Sequence, residues 1–173
     1  MDRATDNGAA SFRLERFFDR PVDACGLFID RFGQLRRQFQ IAITSAREGD
    51  ILVLHERFTY DDGEAEERTW RIKVLGQGRY QGSADNSVIG TASGVVTGNA
   101  FHWRYPFLLR AGRHTLRVTF DDWMYLQPGG TVLNRARVLK FGLLIGEISG
   151  AFVRRAGTAP ASREHAALEQ AAE

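Results

Sequence analysis

A single cysteine, Cys25, stands among the 173 residues of the chain. No internal disulfide, cysteine-based metal site or CxxC redox pair can be built from it, and with no motif around it the expectation is a small buried apolar residue just ahead of the first strand. Long apolar runs are missing as well, and no uninterrupted stretch approaches the length that crosses a bilayer. Met1 to Ala10 is polar and charged, without the basic start and apolar run of a secretory signal. As written, the chain is therefore expected to stay in the cytoplasm, where it is made. An excess of charge of one sign is also absent. Lys plus Arg number 23 against 21 Asp plus Glu, a formal net charge of +2, and the basic residues are scattered, which leaves no nucleic-acid footprint.

Catalytic and cofactor signatures are equally scarce. There is no nucleophile elbow or phosphate loop, and Gly76-Gln77-Gly78 and Gly94 to Gly98 lack the following helix that phosphate cradling needs. His55, His102 and His114 fall on strand patterns without ligand spacing, so no metal and no cofactor are expected. The acidic run Asp61-Asp62-Gly63-Glu64 with Glu66 and Glu67 does not follow a calcium loop and reads as a solvated turn.

What is present is an alternating pattern. Between about Gly26 and Val153 helical periodicity is almost absent, and short runs alternate apolar and polar residues as half-buried strands do. Leu52, Leu54, Phe58 and Tyr60 alternate with Val53, His55, Arg57 and Thr59. Asp61-Asp62-Gly63, Gly76-Gln77-Gly78, Thr97-Gly98-Asn99 and Gln127-Pro128-Gly129-Gly130 close hairpins with residues that tolerate positive φ. The spacing predicts about nine or ten strands. Consecutive hairpins without a crossover predict an all-β, closed up-and-down barrel of lipocalin-like form, because closure removes exposed edges. Glycines within strand patterns at Gly82, Gly90, Gly94, Gly146 and Gly150 favour strong curvature. The composition, 43% apolar and 25% charged, fits one globular domain. Its expected extent is 11–155, with a disordered stretch over 1–10 and a solvated tail over 156–173 that forms at most a short helix from Ser162. Ser11 to Arg20 reads as a short helix or turn closing one end, with Phe12, Leu14, Phe17 and Phe18 apolar and Ser11 as its cap; a strand start is the other reading.

Phe120-Asp121-Asp122-Trp123-Met124 puts adjacent carboxylates inside a strand, where successive side chains face opposite ways. Asp122 shares its row with Val118, Phe120 and Met124, and therefore points at the core. A Pro128-Gly129-Gly130 loop gives the register that keeps apolar rows together: Phe120 opposite Val138, Asp122 opposite Ala136, Met124 opposite Asn134. On the outer face the same register sets Asp121 against Arg137 as an ion pair and Trp123 against Arg135 as a stack.

Other polar residues fall on apolar rows: Glu56, Arg68 and Lys140. In a closed barrel Glu56, Arg68, Asp122, Asn134 and Lys140 project inward beside Tyr60, Trp70, Trp103, Tyr105 and Phe107. An apolar cavity with a few convergent polar groups is the usual form of a small-molecule site. The leading expectation is a binding module for a small hydrophobic ligand, fatty-acyl or related, whose polar head meets Arg68 while Glu56, Asp122 and Asn134 set the network. A filled barrel in which Glu56, Arg68 and Asp122 pair internally is the structural alternative. An enzyme using Asp122 or Glu56 as acid or base, and an assembly protein presenting Trp123 and Tyr125, are the others. Peripheral membrane contact and the oligomeric state stay open.

Phe58-Thr59-Tyr60-Asp61-Asp62-Gly63, Arg68-Thr69-Trp70, Gly98-Asn99-Ala100, Phe120-Asp121-Asp122-Trp123-Met124, Asn134-Arg135 and Lys140-Phe141-Gly142 together carry a family likeness. The chain resembles a bacterial domain family of unknown function with a lipocalin-like barrel, over about Phe17 to Phe152. Many members of that family look like lipoproteins with a lipid-modified cysteine at the mature start, which this chain as written does not match, since Cys25 lies within the domain. The resemblance implies lipid chemistry nearby and assigns no reaction. A nitrobindin-like haem barrel is disfavoured, because Phe17-Phe18-Asp19-Arg20 stands where such proteins carry Gly-x-Trp-x-Gly.

Overall fold

The computed structural model describes residues 11–156 except 86 and 112. The expectations for 1–10 and for the tail beyond 156 lie outside the described residues. A one-turn helix, α1 (Leu14–Phe17), precedes ten antiparallel strands: β1 (Val22–Asp30), β2 (Leu35–Glu48), β3 (Ile51–Tyr60), β4 (Ala65–Gly76), β5 (Arg79–Ala84), β6 (Ala92–Thr97), β7 (Ala100–Ala111), β8 (His114–Leu126), β9 (Val132–Lys140) and β10 (Leu143–Arg154). Each strand pairs with its neighbours in sequence, and β1 pairs with both β2 and β10, so the meander closes into a barrel. All four hairpin loops expected from the sequence lie between strands, and the Gln127–Thr131 closure is a backbone hydrogen bond of 2.8 Å. The register Phe120–Val138, Asp122–Ala136, Met124–Asn134 is the one observed.

Curvature rests on glycines that make room for rings from the next strand. A Cβ at Gly94 would lie 2.5 Å from the Phe101 ring, and one at Gly26 would lie 2.5 Å from the Phe39 ring. Any side chain there would push an aromatic out of the interior. Gly90, expected within a strand, instead sits in the β5–β6 connection with φ 71°.

α1 closes one end. Phe12, Leu14, Phe17 and Phe18 are buried, Phe12 N–H donates to the Gly98 carbonyl at 2.9 Å, and Tyr80 Oη donates to Glu15 Oε2 at 2.7 Å. Ser11 does not cap the helix, because Arg13 occupies the N-cap position without a side-chain bond. The opposite rim carries the β1–β2, β3–β4, β5–β6, β7–β8 and β9–β10 connections, and among the described residues no helix covers it.

Three outer-face expectations are corrected. Cys25 lies within β1 and is exposed, because the alternation that buries Val22 and Ala24 turns it outward. Asp121 stands opposite Arg137 but accepts from His102 Nε2 at 2.7 Å on the other neighbouring strand. Arg135 does not stack on Trp123; it forks onto Glu147 with Nη2–Oε1 at 2.9 Å and Nε–Oε2 at 3.2 Å, while His102 stacks on Trp123 at 4.0 Å. Each outer side chain has two flanking strands to choose from, and here the second flank won.

Candidate functional site

Inward rows from seven strands and the α1 end enclose a cavity of about 120 Å³. Its wall is mostly aromatic. Trp70 and Trp103 stack at 4.5 Å, Tyr105 and Phe120 stack at 5.6 Å, and Phe39, Phe58 and Phe101 fill the gaps between them. Among this apolar surface the alternation places Glu56 on β3, Arg68 on β4, Asp122 on β8 and Asn134 on β9. Of the residues predicted from the sequence, Arg68, Asp122, Glu56, Asn134, Trp70, Trp103 and Tyr105 line the cavity together. Tyr60 and Lys140 do not: Tyr60 lies half-buried with Oη donating to Glu66 at 3.1 Å, and Lys140 ends β9 at the rim, its Nζ 5.6 Å from the Phe141 ring centroid.

Asp122 is held by neutral donors. Trp103 Nε1 donates to Oδ2 at 3.1 Å, Tyr105 Oη approaches Oδ2 at 3.5 Å, and Asn134 Nδ2 donates to Oδ1 at 2.5 Å. Asn134 Nδ2 also reaches the Trp123 carbonyl at 3.0 Å, which fixes the amide's orientation. Burial pushes the Asp122 carboxyl above its ordinary range, and the Trp103, Asn134 and Tyr105 bonds pull it partway back. Burial, with the nearby Asp122 charge, likewise holds the Tyr105 phenol protonated, well above its ordinary value.

Arg68 is organised separately. Its Nη2 donates to Glu66 Oε1 at 2.9 Å, while its Nη1 stands 3.7 Å from Glu56 Oε2. That second separation is an ion pair without a hydrogen bond. The guanidinium lies between two rings, 4.8 Å from the Phe58 centroid and 4.9 Å from that of Phe107. Arg68 and Glu56 side chains are 14% and 12% exposed. Among the described residues, Arg68 Nε and Glu56 Oε2 have no hydrogen-bond partner although both are buried. Burial pushes Glu56 up to about 7; Arg68 and Trp70 act the other way and do not overcome it. Burial works against the Arg68 charge, yet the Glu56 and Glu66 carboxylates outweigh it and raise its pKa.

The three-way internal network of Glu56, Arg68 and Asp122 is thus not formed, since Asp122 bonds to neutral donors and Arg68 to Glu66. Glu66 is the residue that sequence reasoning missed. Its place in the acidic run reads as a solvated turn, yet it shares the alternating row of Arg68 and Trp70, and that row is the signal for it. Phe58 and Phe107, which flank the guanidinium, follow from the same row assignments.

Among the described residues no group of three or more His, Cys, Asp or Glu side chains could hold a metal ion, and no helix is long and apolar enough to cross a membrane. A family model described as protein of unknown function (DUF3833) matches residues 3–154. No curated protein matches the sequence. Among solved structures, the S-type phycobiliprotein lyase CPES from Guillardia theta is similar with a TM-score of 0.60 at 7% identity, covering 85% of this chain and 95% of that one. At that identity the likeness concerns the lipocalin-like barrel fold alone.

Proposed function

The chain belongs to the DUF3833 family of proteins of unknown function, and we propose that it binds a small hydrophobic molecule inside the barrel, with a polar head of carboxylate or similar oxygen-bearing chemistry met by Arg68. One observation carries this reading: a buried guanidinium on an aromatic cavity wall whose Nε has no partner and whose facing carboxylate stands off at 3.7 Å. Buried polar groups left unbonded cost about 1–3 kcal/mol each, so a ligand oxygen that completes this layer gains more than the same contact would gain in water. Near neutral pH Glu56, pushed up to about 7, is protonated in a large fraction of molecules and then offers an O–H beside the Arg68 cation. Both groups then favour an acceptor.

Volume constrains the ligand's apolar part. A space of about 120 Å³ is smaller than the ~300–1,000 Å³ of drug-sized pockets and close to the ~150 Å³ that admits a benzene ring. A ring or short branched group fits as the barrel stands. A fatty-acyl ligand, the finer form of the proposal, requires rings such as Phe39 and Phe58 to swing aside. Solvent extraction of purified protein followed by mass spectrometry, with calorimetric titration of a series of carboxylates of rising chain length, tests both forms. Binding that weakens about tenfold in Arg68→Gln is expected, equal to the loss of one charge-assisted bond. No extracted ligand and no heat from any member of the series would sink the reading.

One observation favours a second reading, an enzyme on a lipid-like substrate with Glu56 or Asp122 as acid or base: a carboxyl near 7 is matched to proton transfer at neutral pH. Glu56→Gln would then retain binding and lose turnover.

A further inference from the structure

The rim opposite α1 carries side chains that neither the sheet nor the cavity uses. The β9–β10 connection is a two-residue loop, Phe141-Gly142, with Lys140 paired to Leu143 and φ values of 51° and 78°. Loops of this geometry favour Asn or Asp before Gly, because other side chains crowd the backbone in the left-handed region. Here the position holds Phe, and it is 94% exposed, so packing among the described residues does not offset that cost.

The β1–β2 connection presents a second ring. Phe32 is 73% exposed, and the Asp30 carboxylate fixes its turn by accepting from Phe32 N–H at 2.9 Å, Gln34 N–H at 3.0 Å and Arg36 Nε at 2.5 Å. Because β1 pairs with both β2 and β10, these two connections are neighbours on the rim, and Arg31 N–H donates to the Ile145 carbonyl at 3.0 Å between them. Leu35 and Leu143 are exposed beside the two rings.

Cations frame the apolar tips. The Arg31 guanidinium lies 4.7 Å from the Phe32 centroid, and Lys140 Nζ lies 5.6 Å from that of Phe141. The next connection around the rim, β7–β8, brings Arg110 and Arg113, both exposed. Against Arg31, Arg36, Lys140, Arg110 and Arg113, these three consecutive connections carry one carboxylate, Asp30, already taken by Arg36. The acidic turn at Asp61, Asp62 and Glu64 lies beyond them, next to β2, and Arg37 binds two of its carboxylates.

We propose that this rim docks on the surface of an anionic lipid bilayer, with Phe32 and Phe141 entering the boundary between headgroups and acyl chains and the basic side chains lying among the headgroups. Each exposed ring has a cation beside it, Arg31 at Phe32 and Lys140 at Phe141, and an anionic lipid interface accepts the ring and its cation together. The docking stands apart from the reading of the interior, since neither Phe32 nor Phe141 lines the cavity.

Sedimentation with vesicles of phosphatidylcholine alone and of phosphatidylcholine mixed with phosphatidylglycerol tests it. The protein is expected to sediment with the mixed vesicles, far less with the neutral ones, and less as salt rises. Phe141→Asn and Phe32→Ser should each weaken partitioning about tenfold, the worth of a partly inserted aromatic side chain, with the urea midpoint unchanged in Phe32→Ser and not lowered in Phe141→Asn. Lys140→Glu combined with Arg31→Glu should abolish the preference for phosphatidylglycerol. Failure to sediment with mixed vesicles, or phenylalanine variants that partition like the parent, overturns the proposal. So does a lipid-free dimer in size exclusion that Phe141→Asn dissociates, which would make a second copy the occupant of the rim.

Discussion

Glu56 makes the stability of the barrel depend on pH in the direction opposite to most paired carboxylates. Its folded pKa is about 7 against an ordinary 4.5, so between those values the folded state binds more protons than the unfolded one. Stability is then fully present below about 4.5, falls as pH rises through about 7, and levels off above it. The size follows from about 1.4 kcal/mol per unit, giving about 3 kcal/mol across the window. Asp23, Asp30 and Asp62 act elsewhere: bonds to Arg155, Gln34 and Arg37 respectively help hold them below their usual 3.8, so their contribution is present above that value and lost in stronger acid. Asp122 is raised and has the same sign as Glu56, which makes the parent alone ambiguous. Comparison with Glu56→Gln removes the ambiguity, since the variant keeps Asp122 and loses the titration. Urea unfolding from pH 4.5 to 8.5 should show the parent's midpoint falling relative to the variant's by about 1–3 M, from slopes of about 1–3 kcal/mol per molar. Parallel curves for the two proteins would refute the burial argument for Glu56.

Asp122→Ala should destabilise the barrel by about 3 kcal/mol or more, because it strands the Trp103, Asn134 and Tyr105 donors together, whereas Asp121→Ala, which strands only His102, should cost about 1 kcal/mol; urea midpoints of the two variants separate the cases. Gly94→Ala should cost about 2 kcal/mol, since its Cβ would lie 2.5 Å from the Phe101 ring, and pairing it with Phe101→Leu should recover part of the loss, read as a coupling in a double-mutant cycle.

The barrel was legible because alternation and hairpin loops are local signals. The row containing Val118, Phe120, Asp122 and Met124 needs no knowledge of the rest of the chain, and closure follows from avoiding open edges. Partner choice is not local in that sense. Asp121 has Arg137 across one ladder and His102 on the other side, and nothing in the order of residues says which distance will be shorter. Arg68 shows the same limit inside the barrel. Its row was readable, but its bond to Glu66, two residues away on the same strand, competes with every carboxylate brought in by closure. Lys140 differs for another reason: it is the last residue of β9, and at the rim, beside the Phe141-Gly142 turn, an inward row no longer faces the cavity.

The interior layer is built so that a ligand would find its donors already in place. Trp103, Tyr105 and Asn134 are committed to Asp122 by bonds across three adjacent strands, so that carboxylate is rigid and its lone pairs are largely spent. Arg68 is pinned at one nitrogen by Glu66 and clamped between Phe58 and Phe107, which limits its rotamers without using its remaining donors. Glu56 stands directly across the β3–β4 ladder from Arg68, yet the 3.7 Å separation leaves the pair without a hydrogen bond. Donors that are ordered before binding cost no further entropy when an oxygen arrives. Arg68 therefore keeps the free capacity in this layer, while Asp122, the more conspicuous residue in the sequence, supplies the scaffold beside it.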